Sequence, residues 1–200
     1  MKPTEILSGE HRIIEQMLDC LEKMVQDCTA QGRLDQTSAE QAVEFFRNFA
    51  DRCHHGKEET HLFPAMEAKG FPRQGGPTGV MLAEHEQGRA HIRGMADAIE
   101  GAAAGKSQAV AQFRDHAQGY VGLLREHIEQ EDHCLFAMAD QALTEADQER
   151  LLEAFQHVEH EHMGLGTHEK YLMLADELAD RFGVTRKVGN SSRACVCHHG

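Results

Sequence analysis

No stretch of the sequence approaches eighteen consecutive apolar residues, which excludes a membrane-spanning helix. The first residues, Met1-Lys2-Pro3-Thr4-Glu5, lack the apolar segment of a secretory signal, so the cytoplasm is the expected location. Positive charge is scarce: 20 Lys and Arg face 33 Asp and Glu, for a net charge of −13. The last eighteen residues hold Arg186, Lys187 and Arg193 and no acid, so the remainder is more acidic still. Such a surface is a poor partner for a phosphate backbone, and nucleic acid is excluded as an expected ligand. Strand signals are also weak, because β-branched residues are scattered among long segments rich in Ala, Leu, Glu, Gln and Met. There is no tryptophan and there are only two tyrosines.

Against these absences stand fifteen histidines and six cysteines in 200 residues. Without a visible signal, the cysteines are expected to be mostly reduced thiols. Histidine is the commonest metal ligand and titrates near neutral pH, and spacing separates those uses.

The apolar pattern predicts four long helices, two shorter ones and a loose tail. The first covers about 4–31, with His11, Ile14, Leu18, Leu21, Val25 and Cys28 on one stripe and Gly32 as its stop. The second opens at Ser38 with Gln41 as a capping box and places Val43, Phe46, Ala50, His54, Glu58 and His61 on one face. A Gly/Pro loop at 70–77 follows. The third helix carries Met81, His85, Gly88, Ile92, Met95 and Ile99. The fourth starts at Ser107 and carries Phe113, Tyr120, Leu124, His127, Glu131, Cys134 and Met138. Thr144 with Asp147 caps a fifth helix bearing Leu151, Phe155, Val158 and His162, and Thr167 caps a sixth that ends at Gly183. The expected fold is all-α, an up-down-up-down four-helix bundle with two additional C-terminal helices. The expected division is a bundle at 1–140, a helical extension packed on it at 141–183, and a flexible tail at 184–200.

An approximate internal repeat carries the chemistry. Glu10-His11 corresponds to Glu84-His85, and His54-xxx-Glu58-Glu59-xx-Leu62-Phe63 corresponds to His127-xxx-Glu131-Asp132-xx-Leu135-Phe136. Residues four apart share a helix face, so His54 points with Glu58 and His127 with Glu131. All of these positions fall on apolar seams. Imidazoles and carboxylates buried together are costly unless cations sit between them. Two carboxylates and four imidazoles suit two first-row ions, and carboxylate-bridged pairs in helical bundles are an established arrangement.

His11, HHGKEE-xx-LFP (54–64), EHEQGR with His85 (84–89) and HIEQED-xx-LF (127–136) together resemble the hemerythrin-like, or HHE cation-binding, domain over about residues 4–140. The resemblance implies a four-helix bundle with a non-haem di-iron centre, and as metal ligands His11, His54, Glu58, His85, His127 and Glu131. Manganese fits the same donors. The implied partner is a small diatomic molecule or peroxide that is bound, reduced or sensed. Iron donation, as in iron–sulfur cluster repair, and a metal-dependent regulatory module are the alternatives. Oxygen carriers of the family have a further histidine four residues after the third-helix ligand, where this chain has Arg89.

Other residues near the expected site have two readings each. His55 and Glu59 share the four-residue spacing of His54 and Glu58, but the match to Ile128 at the equivalent position favours the His54/Glu58 register. Glu59 and Asp132 are then partners of the ligand imidazoles or solvent-facing acids. His61 and Cys134 are apolar-facing fillers, extra ligands or, for Cys134, a redox thiol. Tyr120 is a core residue or a ligand-stabilising group, and Gly88 is close helix packing or space for a small ligand. His162 or His168 is the candidate for the absent fifth imidazole. Cys195, Cys197, His198 and His199 form a Cys/His tail that is either a metal-capturing segment or incidental.

Overall fold

The computed structural model describes residues 1–158 and 167–187, and every regular element among them is helical. α1 (Pro3–Gln31) is followed by α2 (Gln36–Phe45). The chain of α2 runs on through π-helical stretches at Phe46–His55 and Glu58–Leu62 into α3 (Phe63–Ala68). α4 (Pro77–Ala103) and α5 (Ser107–Gln130) form an antiparallel pair. A third π-helical turn, Glu131–Leu135, leads into α6 (Phe136–Ala142). α7 (Glu145–Val158) and α8 (Thr167–Phe182) complete the described helices.

The ends of these helices follow local chemistry, with one correction. Gly32 takes the left-handed conformation (φ 71°) and donates its N–H to the Cys28 carbonyl at 2.9 Å, which closes α1 as expected. Thr144 and Asp147 cap α7 reciprocally: the Thr144 N–H reaches Asp147 Oδ2 at 2.9 Å, and the Asp147 N–H reaches Thr144 Oγ1 at 3.3 Å. The second helix, however, is capped by Asp35, whose side chain accepts from the Ser38 N–H at 2.9 Å. Ser38 lies inside the first turn, fully buried, and its hydroxyl accepts from Arg181 Nη1 at 2.7 Å. The carboxylate three residues upstream is the better acceptor for an N-terminal N–H, and it moves the start forward.

Two apolar clusters fill the interior. One gathers Ile14, Leu18, Leu21, Phe46, Ile92, Met95, Phe113 and Leu124 with Leu174 and Leu178 of α8. The other gathers Leu7, Leu62, Phe63, Met66, Met81, Leu135 and Phe136 with Leu151 and Phe155 of α7. Along each long helical run the chain passes from one cluster to the other, and each time it crosses a histidine. His11 lies between Leu7 and Ile14, His54 between Phe49 and Leu62, His85 between Met81 and Ile92, and His127 between Leu124 and Leu135. The histidines therefore form a polar band between two dry layers.

No helix among the described residues is long and apolar enough to cross a membrane. Because α8 packs on α1 and α2 with Leu178 fully buried, Leu178→Ala is expected to destabilise the protein by roughly 2–5 kcal/mol in chemical denaturation. Met173, which is 62% exposed on the same helix, is the control, and Met173→Ser should stay within about 0.5 kcal/mol.

Candidate metal centre

The polar band holds seven buried donors. His11 comes from α1, His54 and His55 from the π-helical stretch after α2, Glu58 from the start of the next one, His85 from α4, His127 from α5, and Glu131 from the third π-helical turn. None is more than 3% exposed. They fall into two groups whose ligand atoms lie within 4.8 Å of one another: His11, His54, Glu58 and Glu131, and His55, Glu58, His85 and His127.

Each carboxylate faces both groups. Glu131 turns Oε2 to His11 Nε2 at 3.2 Å and Oε1 to His127 Nε2 at 3.3 Å. Glu58 turns Oε1 to His54 Nε2 and Oε2 to His85 Nε2, both at 3.6 Å. None of these four oxygens has a hydrogen-bond partner, and neither does His11 Nε2. Buried carboxylate oxygens without partners cost several kcal/mol unless a cation replaces the lost water. Imidazole nitrogens and carboxylate oxygens in this number suit first-row transition ions, so the donor set fits the metal that the sequence motifs imply.

The outward face of each imidazole is held by an acid. His11 Nδ1 lies 2.9 Å from Asp132, His54 Nδ1 3.0 Å from Glu10, His85 Nδ1 2.7 Å from Glu59 and His127 Nδ1 2.7 Å from Glu84. The pattern obeys the internal repeat. The acid before each single histidine (Glu10, Glu84) serves the histidine of the His-xxx-Glu pair in its own half. The acid after each central glutamate (Glu59, Asp132) serves a single histidine. A carboxylate at Nδ1 favours the tautomer that turns an unprotonated Nε2 to the centre, where the Nε2 atoms of His85 and His127 come within 3.0 Å of each other.

Protonation follows from burial and these neighbours. Burial lowers His54 to about 4, against the Glu10 hydrogen bond, and burial with the facing His85 holds His55 well below the usual range. Burial lowers His85 as well. These rings are neutral donors. Burial and the charge of Glu131 push Glu58 well above the carboxylate range. At Glu131 burial is outweighed by His127 and His11, and the group is held down. His11 moves the other way: against burial, Asp132 and Glu131 raise it to about 9. Those two acids require a positive charge at His11, supplied by a proton or by a metal ion. Behind His54, the fully buried Lys57 ammonium donates to Glu10 Oε1, and its charge, against burial, brings Glu10 to about 2.

The structure brings together all six residues of the sequence motifs and adds His55. Sequence reasoning passes over His55 because its register was set by analogy with Ile128. The signal that could have found it is the His54-His55 doublet itself. A π-helical turn narrows the angle between successive side chains from about 100° to roughly 80°, which lets neighbours share one face. The same wider turn corrects two other expectations. Cys134 is exposed, and His61 is half-buried beside Asp147 and Leu151 of α7, because three residues on from Glu131 or Glu58 is no longer the inward face. Neither belongs to a donor group.

Tyr120 is buried, with its ring edge-on to Phe46 at 4.9 Å. Gly88 faces that ring, and a Cβ there would come 3.4 Å from Tyr120 Cε2, so the position is one of close helix packing against the tyrosine. His168 stacks obliquely on Phe49 at 5.4 Å and joins neither donor group. His162 and the Cys195/Cys197/His198/His199 segment lie outside the described residues.

The hemerythrin HHE cation-binding domain matches residues 2–139. The chain belongs to the hemerythrin HHE family. Metal-cation binding is the family's stated property, and the His/Glu groups described above are where this member could bind one. It is also similar to an uncharacterized protein of Mycobacterium bovis and to uncharacterized proteins of two Mycobacterium tuberculosis strains, CDC 1551 and H37Rv. Each is 22% identical over 176 residues, covering 88% of this chain and 67% of the relative. No solved structure matches.

Metal uptake by this family member must displace the proton from His11, raised to about 9, and the proton that Glu58 retains. Binding is therefore expected to release protons at pH 7, and apparent affinity should rise with pH up to about 9 and fall as the pH drops. Titration calorimetry in buffers of different ionisation enthalpy checks this; a heat independent of buffer would contradict it.

Proposed function

We propose that the protein is a non-haem di-iron protein that binds and reacts with, or senses, oxygen, nitric oxide or peroxide. In this reading residues 1–140 are an up-down-up-down four-helix bundle, 141–183 an extension packed on it, and 184–200 a Cys/His tail. One observation carries the reading: the four oxygens of Glu58 and Glu131 are unpartnered and split evenly between two imidazole groups. A single ion would leave half of them unused.

His11 and His54 would hold one ion and His55, His85 and His127 the other, with Glu58 and Glu131 between them. An iron pair supplies two-electron redox chemistry and positions for a small ligand. The chain's own part is to orient the imidazoles through the Nδ1 carboxylates and to keep bulk water away. The apolar clusters on both sides of the band do the latter, and His11 packs flat against Phe136 at 5.4 Å. The two ions would be unequal. The ion with two imidazoles keeps more positions for an incoming molecule than the ion with three. The near-complete burial of every donor supports a resident centre over ready donation of iron.

Metal analysis of freshly purified protein, with its visible spectrum before and after air, nitric oxide and peroxide, tests the proposal. The expected result is two iron ions per chain and a spectral change with at least one of the three. One ion per chain, manganese in place of iron, or a spectrum that none of them alters would overturn it. Glu58→Ala combined with Glu131→Ala should reduce bound metal from two ions to at most one. Two ions retained by this double variant would remove the bridging role.

A further inference from the structure

Four of the five imidazoles have a carboxylate within 3.0 Å of Nδ1. The fifth, His55, follows the same plan more loosely: its Nδ1 faces Asp51 Oδ1, one turn earlier, at 3.5 Å. That distance is too long for a good hydrogen bond, so the carboxylate needs another anchor to stay in place. Arg89 supplies it. Its Nε donates to Asp51 Oδ1 at 2.8 Å, and its Nη2 lies 2.7 Å from the same oxygen as an ion pair. The same Nη2 donates to Glu59 Oε1 at 2.7 Å, and that oxygen lies 2.7 Å from His85 Nδ1. One guanidinium therefore holds the acids behind two imidazoles of one donor group, and the two rings stack at 3.7 Å, 13° from parallel.

We propose that Arg89 and Asp51 are positioning residues that make His55 the third imidazole of its metal ion and so make the two ions unequal; this rests on the two-ion reading above. The planar fork of arginine suits the position because it engages three carboxylates at once, its Nη1 donating to Glu86 Oε1 at 2.7 Å, in a fixed geometry that an ammonium on a flexible stem lacks. The clamp lies at the edge of the core, with Arg89, Asp51 and Glu59 each 21–25% exposed, so its ion pairs are less screened than those of a free surface. The His11 and His54 side is built differently. There Arg12 holds Asp132 and Lys57 holds Glu10, one cation for each acid, and neither ties two imidazoles together.

The test is Mössbauer spectroscopy of protein loaded with iron-57, with iron counted per chain and thermal stability measured alongside. The wild type should hold two irons and give two distinct quadrupole doublets. His55→Ala should shift one doublet toward the other, and Arg89→Met and Asp51→Ala should each reproduce that shift while retaining two irons. Two variants guard against one failing to fold. A merely structural role would lower the melting temperature and leave the doublets as in the wild type, and that outcome overturns the proposal. So does a wild-type spectrum of one doublet, or a His55→Ala spectrum identical to the wild type; in both cases the two-ion reading stands. Fewer than two irons in the wild type removes that reading and the proposal with it.

Discussion

The structure depends on a charge problem. Two glutamates sit at the centre of a helical protein with all four oxygens unpartnered. In a medium from which water is excluded, that arrangement needs protons or cations among the oxygens to offset the charge. The surrounding groups make sense as answers to it. Imidazoles line both sides, acids behind those imidazoles hold Nδ1 and turn Nε2 to the centre, and Lys57, Arg12 and Arg89 hold Glu10, Asp132 and Glu59 in turn. Charge alternates outward from the centre, so moving any one layer leaves the next without a partner.

Helix geometry makes the band possible. Glu58 and Glu131 each open a π-helical turn, and His54 and His55 close another. These turns widen the helix where the donors converge and aim two neighbouring imidazoles inward. They sit between apolar layers that regular helix brings together on both sides. α7 and α8 each complete a different layer, with Phe155 in one and Leu178 in the other. The C-terminal helices thus enclose the centre from both directions without supplying a donor among the described residues.

Much of this was legible in the sequence. The seam of His11, Ile14, Leu18 and Leu21 is buried as its three-and-four spacing predicts, and so is that of Met81, His85, Ile92 and Met95. The two half-chains announced themselves through paired Glu-His and His-xxx-Glu motifs. What stayed hidden depended on two things a regular-helix template lacks. A regular-helix reading does not foresee the π-helical turns, so it passes over His55 despite the His54-His55 doublet and turns Cys134 and His61 inward. The cross-half pairing of acids with imidazoles is a tertiary matter: Asp132 reaches His11 across 121 positions of chain, and no local pattern encodes that. Arg89 was visible only as a histidine that is missing, and the structure shows it binding the acids that back two others.

The central claim is that two ions sit between Glu58 and Glu131. Anomalous diffraction from crystals of the metal-loaded protein, recorded at the absorption edge of the bound metal, tests it most directly. The account predicts two peaks about 3.5–4 Å apart, one beside His11 and His54 and the other beside His55, His85 and His127. A single peak, or none within reach of both glutamates, would contradict it.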